Sequence, residues 1–134
     1  MKTRPMLTLE DCKKISAASE AEAKKNNWNV CIAILDDGGH LLHLARMDGA
    51  TPANSRIAIE KGRTAAESRR STAMWEERIK AGRHAMLGMP GITPVQGGLP
   101  IVIDGVCIGG VGVSGVQSHE DEQIAKAGID TLKQ

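Results

Sequence analysis

The chain has 134 residues, of which 41% are hydrophobic and 25% charged, and its formal charge is +1. This is the length and composition of one soluble domain with a core of its own, and no window approaches the roughly 20 apolar residues of a membrane-crossing helix. A near-neutral surface without Phe or Tyr excludes the basic, base-stacking footprint of a nucleic-acid binder. Met1 to Met6 lead into Leu9-Glu10-Asp11 with no apolar signal-peptide core, so the expected compartment is the cytoplasm.

Thr8 with Asp11 three residues later is a capping-box pattern. It opens a helix through about Lys25 with a narrow face of Leu9, Cys12, Ser16, Ser19 and Ala23. Trp28 to Leu35 is apolar and rich in β-branched residues, which predicts a strand buried on both sides. The turn Asp36 to Gly39 sends Leu41 to Arg46 back as its antiparallel partner. Within that strand His43 alternates with Leu42 and Leu44, which places it on the solvated face. Thr51-Pro52 starts a helix through about Ser68, and a shorter helix spans Thr72 to Ala81. Gly88 to Pro94 is interrupted by two prolines and two glycines, so it is a loop with the potential of a lid. Leu99 to Ile103, the Asp104-Gly105 turn and Val106 to Val113 form a second hairpin. The last helix runs from Ser118 to about Leu132, with Ser118 and Asp121 in capping-box spacing. The three cysteines, Cys12, Cys31 and Cys107, lie far apart in helix and strand and read as reduced structural thiols.

Asp36 and Gly39, Arg46-Met47-Asp48-Gly49-Ala50, Pro94 with Gly97-Gly98-Leu99-Pro100-Ile101, Gly112-Val113-Ser114-Gly115 and Asp121 occur in an order and spacing that runs essentially the whole chain. In these segments it resembles the GlcG/HbpS-like family, which also supplies the carboxy-terminal domain of PduO-type proteins. The resemblance implies an α+β domain spanning residues 1–134, with an antiparallel sheet of about five strands, helices packed on it, and the order α-β-β-α-α-β-β-β-α. It also implies a homo-oligomer and a small-ligand protein, with haem as the leading ligand and a role accessory to small-acid or diol catabolism. Haem ligation in a PduO-type member has been placed on a histidine of the amino-terminal helix, whereas the first histidine here is His40. That ligand does not carry over, and haem would need another axial residue.

Among the residues themselves, His84, Met86 and Met89 lie close together and are axial-ligand types. Gly97, Gly98 and Ser114 offer backbone and hydroxyl donors to a ligand, although a tight turn explains the glycines equally well. For an enzyme acting on small unsaturated acids without a cofactor, as a tautomerase does, Arg46 would clamp the carboxylate and Asp48 or His40 would move the proton. An Arg46–Asp48 ion pair bracing the turn is the plain alternative, and an oligomeric accessory protein without chemistry is a third reading. The string Gly110-Val111-Gly112-Val113-Ser114-Gly115 satisfies the GxGxxG dinucleotide pattern, but no βαβ unit surrounds it. Its glycines instead suit a strand approached closely by a helix or another subunit. The four histidines have no zinc spacing, and no metal site is expected.

Overall fold

A computed structural model describes residues 1–132. Thr8 accepts from the Asp11 backbone N–H at 3.1 Å, while the Asp11 carboxylate accepts from the Thr8 N–H at 2.9 Å. These bonds satisfy helix-start donors that the chain itself cannot pair, and α1 runs Leu9–Lys25. It is followed by β1 (Cys31–Asp36), β2 (Leu41–Arg46), α2 (Pro52–Ser68), α3 (Thr72–Lys80) and a 3-10 turn, His84–Gly88. Next come β3 (Gly98–Ile103), β4 (Val106–Ser114), α4 (Ser118–Ile129) and a closing 3-10 turn, Asp130–Leu132.

The α+β antiparallel architecture is the expected one. The sheet has four strands, in the order β2-β1-β4-β3, close to the about five that the resemblance implied and matching the two hairpins read along the chain. One sheet face carries Ile32, Ile34, Ile101, Val111 and Val113 against Cys12 and Ile15 of α1 and Ile124 and Ala125 of α4. On the other face Cys31, Ala33 and Leu35 meet Ala58 of α2.

The glycines of β4 bring α2 unusually close. A Cβ on Gly112 would strike the Ala58 carbonyl and the Gly62 backbone, and one on Gly110 would lie 2.5 Å from the Gly62 carbonyl. Backbone therefore packs on backbone, with no room for side chains between. This is the packing role that a strand interior gives its glycines, and it accounts for the GxGxxG string without a nucleotide.

Three local expectations change. Leu9 is exposed, and Ile15 takes its place on the inward face of α1. The last helix starts with Gln117 as its cap, whose N–H is held by the Glu120 carboxylate at 3.1 Å, since Asp121 is engaged inside the fold. On β2 the exposed residues are Leu41, Leu42, Leu44 and Arg46, while His43 is half-buried. The cause is position: β2 is an edge strand, and α2 lies over the sheet centre and leaves it uncovered.

Candidate functional site

At the end of β4 lies a buried polar network. Lys61, on the sheet side of α2, donates from Nζ to Asp121 Oδ2 and to the Val113 carbonyl, each at 3.1 Å, and both charged side chains are 3% exposed. Asp121 Oδ1 accepts from the Val116 N–H at 3.1 Å, so one carboxylate ties α4, α2 and the end of β4 together. Burial pushes the Asp121 carboxyl up from its ordinary range, against the opposing pull of Lys61 and the Val116 N–H. Beside this pair Ser114 Oγ donates to Asn54 Oδ1 at 2.8 Å. Thr72 Oγ1 accepts from the Gly98 N–H at 2.9 Å. Gly97 has φ of +134°, and a Cβ there would lie 2.8 Å from Lys61 Nζ.

Gly97, Gly98 and Ser114 thus come together around Lys61, a residue outside the motifs that the sequence offered. Their donors and acceptors are largely spent inside the protein. The only advance signal for Lys61 was its position: with Ala58 and Ala65 it lies at the i, i+3, i+7 spacing of the inward helix face.

The other sequence-picked residues fall into three separate places. Arg46 and Asp48 line a depression of about 300 Å³ at the end of β2, together with Glu20, Lys24, Asn29 and Met47. Arg46 Nε donates to the Ala50 carbonyl at 3.2 Å, so the guanidinium closes its own loop, and no Arg46–Asp48 ion pair occurs among the described residues. His84 and Met89 are exposed on the 3-10 turn and at its end, whereas Met86 is buried. The following loop is held down: the Thr93 N–H donates to Thr64 Oγ1 at 2.9 Å, and the Gln96 N–H to Glu76 at 3.1 Å. The Gln96 N–H, chief among the groups around it, holds the Glu76 carboxyl below its usual range.

His40 occupies the opposite end of β2 from Arg46. Asp36 folds the intervening turn by accepting from the Gly38 and His40 N–H groups, each at 2.9 Å, and its carboxylate also faces His40 Nδ1 at 3.2 Å. Partial burial raises the Asp36 carboxyl, but these N–H donors and the imidazole outweigh it and leave the group below its ordinary range. Strand geometry of about 3.3 Å per residue puts His40 well over 15 Å along β2 from Arg46, so the carboxylate clamp Arg46 and its two candidate proton carriers, Asp48 and His40, do not share one pocket. Among the described residues no three His, Cys, Asp or Glu side chains form a metal-binding group, no helix is long and apolar enough to cross a membrane, and the three cysteines are buried and unpaired.

The sequence profile of a family described as "Haem degrading protein HbpS-like" matches residues 7–130. Protein GlcG of Escherichia coli K12 is 50% identical over 114 residues, covering 85% of each chain. Among solved structures, a doubly substituted HbpS of Streptomyces reticuli superposes with a TM-score of 0.91 at 31% identity, covering all of this chain and 92% of that one. A PduOC:haem complex superposes with a TM-score of 0.87 at 24% identity, covering 96% of both chains, and shares the fold.

Proposed function

Because the chain belongs to the HbpS-like family, we propose that it is a haem-binding protein, accessory to the metabolism of small acids or diols. The observation that carries this reading is the family match, which takes in every element from the residues before α1 to the end of α4. The surface supports it chemically. Haem is a flat apolar ring with two carboxylates, and the described residues include exposed Leu41, Leu44 and Ile57 alongside cationic Arg56 and Arg63 on α2. The test is thermal unfolding with and without haemin. A ligand that binds only the folded state adds about 2.7 kcal/mol at a hundredfold excess over Kd, so a saturable rise in Tm is expected. A Tm indifferent to haemin would refute the reading.

The same reading takes the protein to be a cytoplasmic homo-oligomer of single-domain chains. The two edges of the sheet support association. β3 is blunted by Pro100 in its middle, whereas β2 offers exposed leucines and no proline or lysine, and an unprotected edge of that kind invites pairing with another strand. Sedimentation of the purified chain checks this, with a monomer at all concentrations as the contrary result.

A second reading has one specific observation behind it. Lys24 and Arg46 are two cations lining the depression that also contains Asp48, an arrangement suited to a small carboxylic acid with a nearby proton acceptor. Proton transfer on an unsaturated acid would then run on Arg46 and Asp48, with His40 too distant to share it. Short unsaturated acids should raise Tm in the wild type and not in Arg46→Ala. Equal shifts in both would remove this alternative.

A further inference from the structure

The described histidines differ in how their rings are held. The rings of His84 and His119 are exposed and make no hydrogen bond or ion pair, and His43 has its Nδ1 buried without a partner. His40 alone is oriented: Asp36 faces its Nδ1 with both oxygens, at 3.2 and 3.3 Å. The ring also lies over Gly38, where a Cβ would come 3.1 Å from its Cε1. A carboxylate accepting from Nδ1–H fixes the ring's orientation and the tautomer with the lone pair on Nε2, as in carboxylate-oriented metal ligands. Nε2 of His40 has no partner in the protein, and the side chain is 81% exposed.

The surroundings of that nitrogen suit one ligand class. Pairing of Leu41 with Leu35 and of Leu44 with Ala33 puts both exposed leucines on the α2 side of the sheet, and His40 borders the depression that Leu41 lines. A depression lined by His40, Leu41, Arg63 and Glu67 meets, at Arg63, a larger one of about 770 Å³ that includes Ile57, Ile59 and Arg56. Arg63 is shared with Glu60 at 3.2 Å, whereas Arg56 has no protein partner. One ledge therefore carries a free imidazole nitrogen, an apolar surface and an uncommitted guanidinium, which is the donor set a flat apolar dianion with a metal centre requires.

We propose that His40 Nε2 is the axial ligand for haem iron, with Asp36 as the residue that positions it and the ledge between β2 and α2 as the surface for the ring. This rests on the haem reading above and replaces His84, Met86 and Met89 as the ligand set. Pairing of a second chain along the β2 edge would leave this face of the strand open.

The experiment is a haemin titration followed in the Soret region, on the wild type, His40→Ala, His84→Ala and Asp36→Asn. His40→Ala should lose the wild-type band position and at least ~10-fold in affinity, and added imidazole should restore the band. Asp36→Asn keeps an oxygen for the two backbone donors but not the charge, and should weaken binding by about 10–100-fold, the usual cost of losing an outer-shell partner. His84→Ala should behave as the wild type. Saturable wild-type binding with an unchanged band in His40→Ala would overturn the ligand assignment alone, whereas no saturable binding by the wild type would overturn the haem reading and this inference with it.

Discussion

Replacing Lys61 by Met removes one half of an ion pair whose two side chains are each 3% exposed and leaves the Asp121 carboxylate with the Val116 N–H as its remaining donor. Stripping the partner from a buried charge costs about 3–5 kcal/mol. With a urea m-value of roughly 2 kcal/mol/M, the midpoint should fall by about 2 M. The loss carries a pH signature. Burial already raises the Asp121 carboxyl in the wild type, and removing the opposing pull of Lys61 raises it further. A carboxyl whose folded pKa is raised favours the folded state below its unfolded value, near 4, and that advantage is lost as pH climbs through the folded value. The deficit relative to wild type should therefore be small at pH 4 and grow toward pH 7.5. Urea melts of Lys61→Met and wild type at both pH values provide the assay. A deficit under ~1 kcal/mol at pH 7.5, or one that does not change with pH, would refute the pairing as the pin between α2 and α4.

Gly112→Ala places a Cβ against the Ala58 carbonyl and Gly62 backbone, where neither side can yield cheaply, while Gly88→Ala meets nothing within 4 Å. Thermal melts should show a loss of about 3 kcal/mol for the first, at or beyond the usual range for overpacking, and under ~0.5 kcal/mol for the second; equal shifts would contradict the backbone-on-backbone contact. Thr8→Ala removes the hydroxyl that caps α1 and should cost about 1 kcal/mol, with amide exchange accelerating first in the opening turn. Asp36, whose carboxyl is held below its ordinary value near 3.8, stabilises its turn above that value and releases it as pH falls through the lower folded one. The Gly38 amide resonance should follow a transition below pH 3.8, and a midpoint above 3.8 would reverse the sign of the argument.

Local signals in the sequence translated directly where one element decided the outcome. Thr8–Asp11 marked the start of α1, Thr51-Pro52 that of α2, and Asp104-Gly105 the tight second hairpin, because capping and turn chemistry act over three or four residues. What failed depended on which element covers which. Burial on β2 follows from α2 lying over the sheet centre, and nothing within Leu41 to Arg46 records that. No local pattern marks Lys61 as half of a buried pair, since its partner Asp121 lies 60 residues away. The proposed ligand residues were named individually, yet chain neighbourhood alone favoured His84 beside two methionines. Only coordinates revealed that Asp36 orients His40 and that Met86 turns inward.

The measurement that bears most directly on the account is a haemin titration of the purified chain by absorbance, run beside a globular protein without a haem site. The account predicts a saturable Soret shift that ends near one haem per chain. A shift that rises linearly and matches the control would contradict it.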